Sequence, residues 1–115
     1  VATRLGTHIL LEVHSAPFER LNSSSMVLEA MHAAINAGSL TVVGELAHQF
    51  PVMGFSAILL ISESHLSIHT WPEHSTLTLD IHLCSGEGFN LSCKLALEIA
   101  SALGGKITKQ NAISH

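Results

Sequence analysis

From His65 to Cys84 the sequence is two alternating runs broken by a proline, a pattern that few folds accept. In the first run Leu66, Ile68 and Thr70 fall on one side, with His65, Ser67, His69 and Trp71 on the other. In the second, Leu77, Leu79, Ile81 and Leu83 oppose Thr76, Thr78, Asp80, His82 and Cys84. A period of two marks a half-buried strand. Pro72 separates the runs because it has no N–H to give to a ladder. Each strand needs one face covered and leaves one face polar.

The rest of the chain supplies the cover. Thr7 to His14 reads T-H-I-L-L-E-V-H, a strand ended by Pro17. Leu40 to Phe50 and Gly54 to Ser62 read as two more, the latter holding the apolar run Ala57 to Ile61. Between the first strand and Leu40, residues Leu28, Met31, Ala34 and Ile35 fall on one face of a helix over 22–37, with N-cap oxygens at Asn22 and residues 23–25, and with Gly38 just past its end. Asn90 is the predicted cap of a second helix carrying Leu91, Leu95, Ile99 and Leu103, ended by Gly104 and Gly105. Lys106 to Ile113 closes the chain as a short strand. The order β-α-β-β-β-β-α-β predicts one α+β domain over residues 1–115. It is a two-layer sandwich with a mostly antiparallel sheet and both helices on one face.

Of the 115 residues 47% are apolar and 12% charged, which excludes a disordered chain and favours an oligomer. With five Lys and Arg and a net charge of −4, no basic patch exists to meet nucleic acid. The longest apolar run is too short to span a bilayer, so no membrane partner is expected. No secretory signal pattern opens the sequence, which points to the cytoplasm, with Cys84 and Cys93 as thiols. Nine histidines are scattered along the chain, without H-E-x-x-H or C-x-x-C spacing, so no metal site is expected.

Chemistry concentrates at Glu63-Ser64-His65, the junction between the buried strand and the first alternating run. A serine at a turn is ordinary, and an open sheet face carrying Ser, His, Thr and Asp is often simply wet. A nucleophile, a base and a thiol nonetheless gather here, with Cys84 placed where neighbouring strands could bring it near His69. The full string Ile61 to Glu73, I-S-E-S-H-L-S-I-H-T-W-P-E, closely resembles the signature of the short, prokaryotic-type S-adenosylmethionine decarboxylase proenzymes. The element order extends the resemblance more weakly from about residue 5 to about residue 113.

The resemblance implies a pyruvoyl-dependent enzyme that makes its own cofactor, usually as a homodimer with sites shared between subunits. Ser64 attacks the carbonyl carbon of Glu63, the peptide becomes an ester, and β-elimination yields a β-chain of residues 1–63 and an α-chain of 64–115. Hydrolysis at position 64 then releases ammonia and leaves a pyruvoyl group. That carbonyl takes up the substrate amine and serves as an electron sink for the carbanion left by CO2 loss. By the same resemblance, His69 assists the elimination as a base and Ser56 supports processing through hydrogen bonds. Cys84 returns a proton to the α-carbon, for which a thiol is suited. Phe50 stacks on an adenine ring, Trp71 lines the pocket and Glu73 grips the ribose hydroxyls.

The string His82-Leu83-Cys84-Ser85-Gly86 departs from the family's aromatic-Thr-Cys-Gly segment, and His74 replaces the usual residue after Pro-Glu. Both changes fall near the pocket. The expected activity is decarboxylation of S-adenosylmethionine for spermidine synthesis. L-ornithine or L-arginine is the alternative substrate, with Glu63, Glu73, Asp80 and Glu87 as acids for the distal cation. A non-catalytic paralogue, acting as a binding or activating subunit, is the reading of a different class.

Overall fold

The computed structural model describes residues 5–62, 64–84 and 88–115. Six strands form one antiparallel sheet: β1 Thr7–His14, β2 Gly44–Gln49, β3 Phe55–Ile61, β4 Ser64–Trp71, β5 Thr76–Leu83 and β6 Lys106–Ser114. Their order across the sheet is β2-β3-β4-β5-β1-β6. Three helices accompany them: α1 Phe18–Leu21, α2 Ser24–Ala37 and α3 Gly88–Ala102. A 3-10 turn, Pro72–His74, joins β4 to β5. This is the α+β architecture expected, with one helix more than the sequence pattern revealed.

The alternating residues do what their period requires. Ile9, Leu11 and Val13 on β1, Leu66 and Ile68 on β4, and Leu77 to Leu83 at odd positions on β5 are all buried on one face. Val27, Met31, Ala34 and Ile35 of α2, with Leu95, Ala96 and Ile99 of α3, complete that core. Each large side chain buried there contributes about 1.5–3 kcal/mol. The Ser23 side chain caps α2, accepting from the Met26 N–H at 3.2 Å. Gly38 follows α2 with an ordinary φ of −84°, and the left-handed residue is Ser39. The missing side chain of Gly38 serves packing: a Cβ there would lie 3.2 Å from Leu91 and 3.3 Å from Leu95 of α3.

Three details differ from the sequence expectation. The one-turn α1 after Pro17 is too short to show a helical period. α3 starts at Gly88, so Asn90 lies inside its first turn and is not its cap. β2 begins at Gly44, since Leu40 and Val42 pack down on the core before the chain enters the sheet.

One buried polar group ties these layers together. Thr70, 5% exposed, accepts from the Phe55 N–H at 2.9 Å and donates to the Leu21 carbonyl at 3.0 Å. It thereby joins β4 to the start of β3 and to the end of α1.

Candidate active site

β3 and β4 meet in a two-residue hairpin, with Ile61 opposite Ser64. Ser62, at the first loop position, holds φ at 47°, the left-handed value that tight hairpins favour there. A non-glycine residue pays a steric cost of about 1–2 kcal/mol in that region. Glu63 lies outside the described residues, as do Ser85, Gly86 and the candidate acid Glu87. Ser64 opens β4, and its Oγ accepts a hydrogen bond of 3.1 Å from the Cys84 N–H. Both residues line a cavity of about 380 Å³, together with Thr41, Ile61, Ser62 and Leu91. The hydroxyl, a main-chain donor and the thiol residue are therefore in one place. These groups fit a prosthetic carbonyl made from Ser64 itself, because its oxygen already faces a donor and the cavity gives a substrate room.

A second group gathers toward the other end of β4. Strand register places His48, Ser56, His69 and Thr78 in one row across the open face. Ser56 Oγ and His69 Nδ1 share a hydrogen bond 2.7 Å long. With Leu46, Ala47, His48, Ile58 and Ser67 they line a cavity of about 330 Å³. The Trp71 ring lies 6.2 Å from that of His69 and is 41% exposed. Phe50, just past β2, stacks edge-on against His48 at 4.8 Å and is 44% exposed. Glu73 is exposed in the turn that follows Trp71. Two aromatic faces, an imidazole and a carboxylate thus share one end of the sheet.

The two groups do not meet within one chain. Ser64 and His69 are five residues apart on β4, ~17 Å at about 3.4 Å per residue. Nor does His69 meet Cys84 across the sheet, where its partner is Thr78. Sequence reasoning missed His48, whose place beside His69 and Phe50 appears only once β2 is registered against β3. The open face also carries His8, His65, His82 and Asp80 on the three strands β1, β4 and β5. Burial, followed by the neighbouring imidazoles of His65, His115 and His8, holds His82 below the ordinary histidine range.

A hydroxyl held by a main-chain donor at a sheet end, and a histidine–serine pair at the other, define a small two-layer domain equipped for acid–base and nucleophilic chemistry. The family model for S-adenosylmethionine decarboxylase matches residues 7–113, and the chain belongs to that family. The S-adenosylmethionine decarboxylase proenzyme of Symbiobacterium thermophilum is 36% identical over 109 residues, 94% of this chain and 80% of that protein. The proenzyme of Picrophilus torridus is 41% identical over 80 residues, which cover 70% of this chain and 62% of that protein. The chain thus spans about three fifths of the length of some relatives it matches. The crystal structure of the adenosylmethionine decarboxylase of Aquifex aeolicus superposes with a TM-score of 0.83 at 25% identity, covering 99% of this chain and 91% of that one.

Proposed function

We propose that the chain is a self-processing, pyruvoyl-dependent decarboxylase of S-adenosylmethionine, one domain whose backbone is cut between residues 63 and 64. The observation that carries this reading is the Ser64 hydroxyl, which accepts from the Cys84 N–H inside a cavity at the β3–β4 hairpin. That donor stabilises the deprotonated hydroxyl from which Oγ attacks the Glu63 carbonyl carbon, the charge then passing to the carbonyl oxygen. The C–N peptide bond breaks, its nitrogen takes a proton, and an ester forms. Removal of the α-proton of residue 64 then expels the Glu63 carboxylate. Addition of water and loss of ammonia leave the ketone.

His69 takes that α-proton. For this, its Nδ1–H must donate to Ser56 Oγ, at 2.7 Å, so that the Nε2 lone pair is available. Phe50 and Trp71 supply faces for the adenine ring, and Glu73 accepts from the ribose hydroxyls. The pyruvoyl carbonyl supplies the electron sink for decarboxylation. Cys84 then delivers a proton to the substrate's α-carbon.

The ~17 Å between Ser64 and His69 makes the assembly part of this reading. A base and the proton it removes must come within about 3 Å. A two-fold pair of chains solves this if Ser64 and Cys84 of one protomer face Ser56, His69, Phe50, Trp71 and Glu73 of its partner. The exposed Leu10, Leu46 and Leu60 on the open face give such a pair its apolar contact. Among the described residues, no helix is long and apolar enough to cross a membrane. The two thiols suit a reducing, cytoplasmic compartment.

The test is an intact-mass spectrum of the purified, denatured protein, followed by a CO2-release assay. Two fragments meeting at the 63–64 bond, the second blocked at its end, together with release of CO2 from S-adenosylmethionine, are expected. A single uncut chain would overturn self-processing. Turnover of ornithine or arginine but not of S-adenosylmethionine would overturn the substrate.

A further inference from the structure

We propose that the open sheet face carries a binding site for one divalent cation of the zinc class, held by His8 Nε2, His65 Nε2 and the Asp80 carboxylate. Linear spacing carries no sign of it, because His8 and Asp80 are 72 residues apart and meet only through strand register. β1 and β4 flank β5, and His8 and His65 both stand opposite His82. Asp80, two residues before His82 on the same strand, lies between the two flanking imidazoles. His8 Nε2 is hydrogen-bonded to one carboxylate oxygen. His65 Nε2 is 3.6 Å from the other. The three ligand atoms lie within 4.8 Å of one another. In a tetrahedral zinc site, ligand atoms at ~2.0–2.1 Å from the metal are roughly 3.3 Å apart. Side-chain rotations alone close that difference, since three paired strands already fix the backbone.

His82 stands between the two flanking imidazoles. Its ring stands 5.5 Å from that of His8 and 5.6 Å from that of His65. Its Nε2 is buried and has no hydrogen-bond partner among the described residues. Two imidazoles and one carboxylate select a borderline cation such as zinc, nickel or cobalt over calcium or magnesium, which prefer oxygen alone. In the single chain these side chains are 28% to 34% exposed, so their charges are partly desolvated. The ion would clamp β1, β5 and β4 together immediately beyond Ser64.

The test uses the full chain, stripped with a chelator and titrated with zinc alone by calorimetry at pH 7.5. One zinc per chain, with protons released on binding, is expected. His8→Ala and Asp80→Asn should each weaken binding on the order of 100-fold. His32→Ala, which removes only the surface pair with Glu45, should leave it unchanged. Cobalt added to the wild-type chain should give the intense visible bands of a tetrahedral site, a readout that needs no variant to fold. Absence of saturable zinc binding, absence of those bands, or binding that survives both His8→Ala and Asp80→Asn would overturn the site.

Discussion

Replacing Thr70 by valine tests the link between the core and the site. Valine nearly matches threonine in shape, so no cavity opens, but two buried main-chain groups lose their partners. These are the Phe55 N–H, held at 2.9 Å, and the Leu21 carbonyl, held at 3.0 Å. Each orphaned group costs about 1–3 kcal/mol, so the pair together costs ~2–4 kcal/mol after the hydroxyl's own desolvation is recovered. For a chain of 115 residues the entropy of unfolding near the midpoint is about 0.24 kcal/mol/K. The midpoint should therefore fall by ~8–17 °C. Thermal unfolding followed by circular dichroism, at one fixed protein concentration, reads the shift. Thr70→Ser keeps the hydroxyl and loses only a methyl group, so it should cost about 1 kcal/mol. A Thr70→Val midpoint within ~2 °C of wild type would refute the assignment of those two bonds, being far less than the cost of even one orphaned group. Since Thr70 stands between His69 and Trp71, the same variant should loosen the Ser56–His69 pair and slow chain cleavage.

Cys84→Ala should still be cut, because its main-chain donor to Ser64 remains, while CO2 release falls by ~100-fold or more; near-normal turnover would remove the thiol from the proton-donor role. Ser64→Ala and His69→Ala chains, each defective in cleavage alone, should recover partial cleavage when refolded together, because a mixed dimer holds one intact composite site; a mixture as inert as its components would argue against sharing. Acidification should destabilise the chelator-treated protein through His82. Its folded pKa lies below the ordinary histidine value, so the unfolded chain binds the proton first. Its contribution is whole above about pH 6.5 and is lost as the pH falls toward the folded value. The midpoint should therefore drop between pH 7 and pH 5, and less steeply in His82→Gln; parallel curves for the two proteins would contradict the burial argument.

The period-two runs over 65–71 and 76–84 located β4 and β5 within a residue or two, since a half-buried strand has little freedom in what it exposes. Gly104 was equally legible: it follows α3 at φ 77°, a value that favours glycine. What escaped were features without a period of their own. The four residues of α1 form too few turns to repeat, and Leu40 and Val42 look strand-like while serving the core from a loop. For the site, the string around Ser64 identified which residue types matter but not who stands beside whom. Register decides that. It sends Cys84 to Ser64, pairs His69 with Ser56 and Thr78, and gathers His8, His65 and His82 from three separate stretches of chain. Pairings between distant strands follow from the whole sheet closing around one core, so no local pattern records them.

The strand order has a mechanical consequence for the cut proposed at the β3–β4 hairpin. β1, α1, α2, β2 and β3 would go to one fragment, and β4, β5, α3 and β6 to the other. In the sheet, however, β1 lies between β5 and β6, and β3 is laced to β4 along six residue pairs. The fragments are thus woven like interlocked fingers, with one strand of the first threaded through the second. Neither piece can slip away without tearing three ladders, β3 from β4 and β1 from both β5 and β6. The proposed scission would therefore free a new chain end for chemistry while the molecule keeps its shape, leaving a severed strand end as durable a part of the scaffold as any loop.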